Sequence, residues 1–382
     1  MSYHVLYESC GWHTRCALFN EQGRLLSLRY DDVSRTLIEG AVLWGRVRRL
    51  APSLGAAFVD IGDVQDGVLP LQTLPHGHKL HEGQGVLVRI ARAGFGEKGA
   101  KLDGRVVLKQ EHVPSQCPSL VVPAPNALKR ALRDAGSTPV KCWLPHGLYR
   151  DMVAQVVREN QIFQLDKDPA APDLLAALDD ELARILAPVP TFPFPHGDVR
   201  VELTSAVATI DVNLRPLEAP KAEATLAANL MAADEVARLV RLLDLGGSVI
   251  VDFITPKSKA HRDLVDDHLH AALSTTDEHF EHLRPMSRHG LSEITRSRTG
   301  PSLMLLLKNP AFVAGAIGLT LWRTPAGAQP GLLRQVVQAH PQVVAILQPH
   351  LADDVCLRHL GRRVALQPAS SVQPLAEWRV LG

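Results

Sequence analysis

Cysteine is scarce and scattered: Cys10, Cys16, Cys117, Cys142 and Cys356 make five, with no CxxC pair among them. That leaves neither a disulfide framework nor a tetrahedral thiolate site, and it points to a reducing compartment. Net charge is almost missing as well. The 41 Lys and Arg set against 40 Asp and Glu leave +1, so any binding to a polyanion must come from a local patch and not from a field over the whole surface. Long apolar runs are lacking too. The best membrane candidate, residues 303–322, is broken by Lys308, Asn309 and Pro310, where a span needs roughly 20 apolar residues; it reads as a buried helix. The N-terminal residues show no basic leader before an apolar run, so no secretory signal is expected and a cytoplasmic location is. The chain also lacks GxxxxGK[ST], GxSxG and HExxH, which removes the commonest phosphate-loop, nucleophile-elbow and zinc-protease readings.

What is present is a globular composition, 46% apolar and 21% charged over 382 residues, enough for two to four domains. Residues 1–36 read as short strands, VLYES, TRCALFN and RLLSLRY, with NEQG turning between the last two. From Ala41 the strands become closely spaced: AVLWGRVRRL, AAFVDIG, GVLPL and GVLVRIARA. Such spacing predicts a small closed barrel, of which the OB-fold is the common nucleic-acid-binding example. Residues 110–136 are rich in proline and end in a short helical stretch, NALKRALRDAG. A strand over 140–144, a helix over 148–159 and a strand over 161–165 then set an α/β alternation. A proline-rich joint at 188–195 marks a boundary near 190.

The most informative stretch is 206–254. AVATIDVN reads as a strand rich in β-branched residues. A helix follows with Leu226, Leu230, Ala233, Ala237 and Val240 along its apolar face, then a DLGG stop at which Gly246 or Gly247 can take the left-handed position. SVIVDFI closes a crossover unit whose two strands should be parallel and adjacent or nearly so. Each strand carries one aspartate, Asp211 and Asp252. An aspartate in an apolar run is costly to desolvate unless it is paired. Two of them at like ends of parallel strands, at the carboxyl edge of the sheet, call for a cation between them. Magnesium answers that need, because it binds through one or two carboxylates and takes the rest of its shell from water and phosphate. Asn213 projects to the same side and can orient a bound water. The competing reading of each aspartate is a strand-end residue that bonds loop amides or an arginine.

GRVRRLAPSLGAAFVDIGDVQDGVLPL, TIDVN, LAANLMAADEVARLVRLLDLGGSVIVDFI and SRHGLSEITRSR, in that order, resemble the ribonuclease E/G family of endoribonucleases. The resemblance implies an α/β multidomain chain: a ribonuclease-H-like fold (1–36 with 138–189) with an inserted OB-type RNA-binding barrel (37–109) and a reduced sensor segment (110–137). A deoxyribonuclease-I-like α/β catalytic domain (190–305) would follow, then an apolar helix and a small C-terminal α/β domain (306–382). It implies that Asp211 and Asp252 hold Mg2+, with Mn2+ able to substitute, and that Asn213 matches the asparagine beside the first aspartate. Phe58 matches an aromatic on which an RNA base stacks, and Lys98 falls in the basic segment near the RNA. Lys101, Arg288, Arg296 and Arg298 are candidate phosphate contacts. The implied activity is cleavage of single-stranded RNA to 5′-phosphate and 3′-hydroxyl ends.

The chain also departs from the family pattern. Val68 stands where a second stacking aromatic would fall. The long segment that senses a 5′-monophosphate has no counterpart, LRPLEAP follows IDVN, and the zinc-linking cysteine pair is replaced by MLLLKNPAFVAGAIGLTLW. No zinc is therefore expected, and a homo-oligomer would have to form by apolar packing. His76, His78 and His81 form a dense but incomplete ligand set. Two rival functions remain open on sequence: an RNA-binding protein that has lost turnover, and a partner-binding protein using an exposed 303–322 face.

Overall fold

The computed structural model describes the whole chain apart from residues 1, 33–35, 76–78, 95–96, 108–113, 115, 216–220, 324–333, 353–355, 357–359, 370–377 and 382. Two compact units form, residues 32–126 with 298–301 and residues 1–31, 127–297 and 302–382. The larger unit opens with β1 (Tyr3–Ser9), β2 (His13–Phe19) and β3 (Leu25–Asp32). The smaller unit carries β4 (Val42–Ala51), β5 (Ala56–Asp60), β6 (Gly67–Pro70), β7 (Gly85–Arg92), β8 (Lys101–Asp103) and β9 (Ser119–Val122). The larger unit resumes with α1 (Ala127–Asp134), β10 (Val140–Leu144), α2 (Arg150–Ala154), β11 (Ile162–Gln164), α3 (Leu174–Leu186), β12 (Thr191–Phe194), β13 (Gly197–Leu203) and β14 (Ala208–Leu214). It continues with α4 (Lys221–Leu242), β15 (Gly247–Asp252), α5 (Lys259–Thr276), β16 (Phe280–Arg284), β17 (Leu291–Arg296), α6 (Leu303–Leu306) and α7 (Pro310–Trp322), and ends with β18 (Arg334–Ala339), α8 (Pro341–Leu347), β19 (Arg363–Pro368) and β20 (Trp378–Leu381).

In the smaller unit the order β5-β6-β8-β7-β4 closes on itself through a β4–β5 pairing, giving a five-stranded barrel with β9 added outside β4. Alternation explains the closure: Val86, Val88 and Ile90 of β7 point inward, Arg89 outward, and the inward set meets Leu43, Val47, Val59, Leu69 and Leu102 in one core.

The larger unit holds three sheets, ordered β11-β10-β1-β2-β3, β12-β13-β14-β15-β17-β16 and β19-β18-β20. Among the described residues, the buried side chains of the six-stranded sheet's central strands β13, β14 and β15 lie on one face. Val199, Val201, Ile210, Val212, Val249, Val251 and Ile294 bury there with Ala228, Ala232 and Val236 of α4 and Val265 and Leu269 of α5. Helix α4 keeps Leu226 and Leu230 half-buried, while its most buried stripe runs through Ala228, Ala232, Val236 and Leu239. Gly247 does take a positive φ of 90, but as the first residue of β15, and the helix itself is not closed by a glycine. Asp244 takes the left-handed position at φ 51, the Leu245 N–H donates to Val240 O and the Asp244 N–H to Arg241 O. These are the bonds of a Schellman ending, and an aspartate is tolerated there because its carboxylate is held from outside, by Arg296.

Two other expectations are corrected. The helix expected over 148–159 is only a 3-10 turn at Gly147–Tyr149 followed by α2; the chain leaves the helix early, and Val157 packs beside Val153 and Leu144. The 303–322 stretch forms α6 and α7, with Asn309 capping and Pro310 at the first helical position. Phe312, Val313, Ile317, Leu319, Leu321 and Trp322 are buried, most of them against Trp12, α8 and the three-stranded sheet. Those side chains are consumed inside the unit, so this stretch does not provide the exposed docking face. No helix among the described residues is long and apolar enough to cross a membrane.

A buried ionic network braces the same unit. Glu8 on β1 accepts from Arg15 on β2 (2.6 and 2.9 Å) and from Arg323 (2.7 Å), whose terminal nitrogens reach Asp179 on α3.

Candidate functional site

Strands β14 and β15 run parallel, joined through α4, and their register sets Asp211 directly beside Asp252. Neighbouring strands lie about 4.8 Å apart, so the two carboxylates share one row of one face. Both are exposed. This corrects the expected desolvation cost: the period of two turns Ile210, Val212 and Val251 into the core and both aspartates outward. The cost that survives is their mutual repulsion. β14 runs on past Asp211 to Leu214, so the pair lies on the open face of the sheet, at the level where β15 ends.

Asn213 lies two residues on, on the same face, and donates its amide to Asp211 at 2.9 Å and to Asp198 at 3.5 Å. β13 pairs antiparallel with β14, setting Asp198 opposite Asn213 and Arg200 opposite Asp211. The Arg200 Nε stands 3.6 Å from Asp198. Sequence reasoning missed both residues. The signal was available in GDVRVEL, whose alternation puts Asp198, Arg200 and Glu202 on the face opposite Val199 and Val201. Glycine lets the strands meet here: a Cβ on Gly197 would fall 1.9 Å from the Asn213 carbonyl oxygen. Beyond Asp252 the Phe253 N–H donates to Gly290 O, and Gly290, at φ +93, has room for no side chain against Phe253 O.

Among the described residues no lysine or arginine forms a salt bridge with Asp211 or Asp252. No group of three or more His, Cys, Asp or Glu able to hold a metal occurs among them either. The donors this pair offers are carboxylate oxygens, the kind a hard divalent cation takes while keeping several waters. A cation held by this pair alone would complete its shell from water and phosphate.

The candidate arginines separate. Arg288 is exposed on the turn between β16 and β17 and donates to His289, and Arg298 is exposed in the smaller unit. Arg296 is not available to RNA. It is 4% exposed and pairs with Asp277 and Asp244, each at 2.6 Å. The SEITRSR alternation turns it inward with Ser292 and Ile294, where it anchors the end of α4.

In the barrel, register builds a second row, Arg49, Phe58, Val68, Lys101 and Arg92, each paired with the next. Phe58 is half-buried, outside the barrel core, and the Arg49 guanidinium sits 4.5 Å from its ring centroid. Lys98 and Lys101 are exposed. His81 is exposed, while His76 and His78 lie outside the described residues, as does most of LRPLEAP.

A family model described as the Ribonuclease E/G family matches residues 78–299. Ribonuclease E of Escherichia coli (strain K12) is 26% identical over 384 residues, which cover 76% of this chain and 36% of the relative. The chloroplastic ribonuclease E/G-like protein of Arabidopsis thaliana is 35% identical over 126 residues, 32% of this chain and 12% of the relative. Ribonuclease G of Haemophilus influenzae (strain ATCC 51907 / DSM 11121 / KW20 / Rd) is 23% identical over 390 residues, 76% of this chain and 78% of the relative. The chain thus spans well under half the length of the first two.

Proposed function

The chain belongs to the ribonuclease E/G family, and on that premise we propose that it is an endoribonuclease which hydrolyses single-stranded RNA at the open face of the six-stranded sheet. The observation that carries this reading is the register match of Asp211 with Asp252, with the Asn213 amide bonded to the first of them. Asp211 and Asp252 would hold Mg2+ or Mn2+. When bound, such an ion supplies charge neutralisation at the scissile phosphate and a more acidic attacking water. The protein's own part is to hold the two carboxylates side by side, fix the Asp211 rotamer through Asn213 and keep the face open to a strand. Attack by water at phosphorus breaks the bond to the 3′-oxygen, which leaves with a proton, so the products carry 5′-phosphate and 3′-hydroxyl ends.

The domain limits follow the family: a ribonuclease-H-like part (1–36 with 138–189), an OB-type barrel (37–109) and a deoxyribonuclease-I-like catalytic part (190–305). Phe58, Lys98 and Lys101 would bind the strand on the barrel, the aromatic by stacking and the lysines through phosphates. With the sensor segment reduced, ribosomal precursor or messenger RNA would be cut in the cytoplasm without preference for a 5′-monophosphate.

The test is cleavage of an end-labelled single-stranded RNA, in magnesium or in chelator, by wild type, Asp211→Asn and Asp252→Asn. Cutting should require magnesium and fall by about 10²-fold or more in either variant, with RNA binding kept. If the wild-type chain binds RNA but cuts none across a range of sequences and divalent ions, the protein is an RNA-binding member without turnover.

A further inference from the structure

Resting on the endoribonuclease reading, we infer that Arg200, steered by Asp198, is the phosphate-gripping side chain of the open face, set beside the Asp211–Asp252 pair. The charge on that face requires such a group. Its rows carry Asp198, Asp211, Asp252, Glu202 and Glu293 against Arg200 and Arg284. Arg284, on β16 and two strands away from Asp252 in the sheet, pairs with Glu293 at 3.4 Å. A polyanion approaching five carboxylates is repelled, and one divalent cation offsets only part of that charge. Arg200 is the direct cross-strand neighbour of Asp211.

Its setting suits a ligand contact better than a structural one. The side chain is half-exposed, and its ion pair with Asp198 runs through Nε at 3.6 Å, a length and exposure at which such pairs add little stability. The terminal amino groups of the guanidinium form the planar fork that fits phosphate oxygens. Asp198 is better buried, 21% exposed at the side chain, and the same oxygen faces both Arg200 and the Asn213 amide. A single carboxylate therefore couples the phosphate-binding arm to the side chain that orients Asp211. Asp198 is a positioning residue in this scheme, and Arg200 touches substrate.

The experiment uses the full chain with Arg200→Ala, Arg200→Lys and Asp198→Asn. It measures kcat and KM on a single-stranded oligoribonucleotide in magnesium at several salt concentrations, and RNA affinity in chelator by fluorescence anisotropy. Arg200→Ala should lower kcat/KM by about ten- to a hundredfold and flatten the salt slope by about one. Arg200→Lys should restore the slope but only part of kcat/KM, because a point charge replaces a fork. Asp198→Asn should raise KM and also lower kcat, through loosened Asn213. If Arg200→Ala leaves KM, RNA affinity and the salt slope unchanged, the inference is overturned. It is overturned equally if that variant only lowers the magnesium concentration needed for half-maximal rate, which would make Arg200 a counter-ion to Asp211. Should no chain cut RNA while Arg200→Ala still weakens binding, the endoribonuclease reading fails and the phosphate contact stands.

Discussion

Asn213 and Asp211 are joined by a 2.9 Å hydrogen bond from amide to carboxylate, made along one strand between two side chains of the same open face. The bond fixes which way the Asp211 oxygens point. In the proposed site, where Asp211 would share a cation with Asp252, a rotamer set in advance means that the ordering cost is met before the ion arrives.

Asn213→Ala should therefore lower activity by about ten- to a hundredfold, with the magnesium midpoint moving to higher concentration. The fold should be unaffected, because Asn213 is only half-buried. A magnesium titration of initial rate checks this; an unchanged midpoint and rate would show that the amide does nothing for the aspartate.

Phe58→Ala should weaken binding of single-stranded RNA by about 1–3 kcal/mol, the worth of one stacked base. The salt slope should stay as in wild type, because stacking releases no counter-ions. Phe58→Trp should bind at least as well as wild type. Fluorescence anisotropy over a salt series separates this outcome from a charge effect. Since Arg49 covers one side of the ring, the base would stack on the other.

Arg296→Ala should destabilise the chain by about 3–5 kcal/mol, because it strands the fully buried Asp277 carboxylate. Arg288→Ala and Arg298→Ala, both exposed, should stay within about 0.5 kcal/mol of wild type. Urea unfolding distinguishes them. An Arg296→Ala chain of normal stability and impaired RNA binding would return that arginine to the nucleic-acid interface.

Burial pushes the Glu8 carboxyl upward, but Arg15 and Arg323 outweigh it and hold the group below its ordinary 4.5. Asp134 behaves alike: burial raises it, and the bonds from Arg29 bring it below 3.8. A carboxylate depressed in the folded state contributes stability that is fully present above its unfolded value and is lost as pH falls through the folded one. Thermal melts should thus be insensitive to these groups near neutrality and should fall below about pH 4.5. Glu8→Gln should melt lower at neutral pH and lose less on acidification; an acid limb as steep as wild type's would remove Glu8 from the account.

Much of the site was legible in the chain. The crossover of strand, helix and strand over 206–254 follows from alternation and helical spacing, and it puts Asp211 and Asp252 on parallel strands; that the two strands are direct neighbours is seen in their pairing. Asn213 two positions on had to share the face of Asp211. DLGG predicts a Gly246 or Gly247 cap, and Gly247 does take positive φ at the start of β15, yet Asp244 closes the helix because Arg296, 52 residues away, binds its carboxylate. The same partnership removed Arg296 from the RNA contacts. TRSR looks like a basic surface run until strand pairing turns its Arg296 inward.

Residue type and local period determined the strands, the buried helix at 310–322 and the acidic pair, because those depend on near neighbours in sequence and on which side chains water rejects. The tertiary structure alone decided that the carboxylates stand in water on a sheet face, that Arg200 sits across from Asp211, and that Phe58 and Lys101 share a row on the barrel. Each of these arises from register between strands whose order in the sheet is set by packing of the opposite face, so no stretch of sequence contains it.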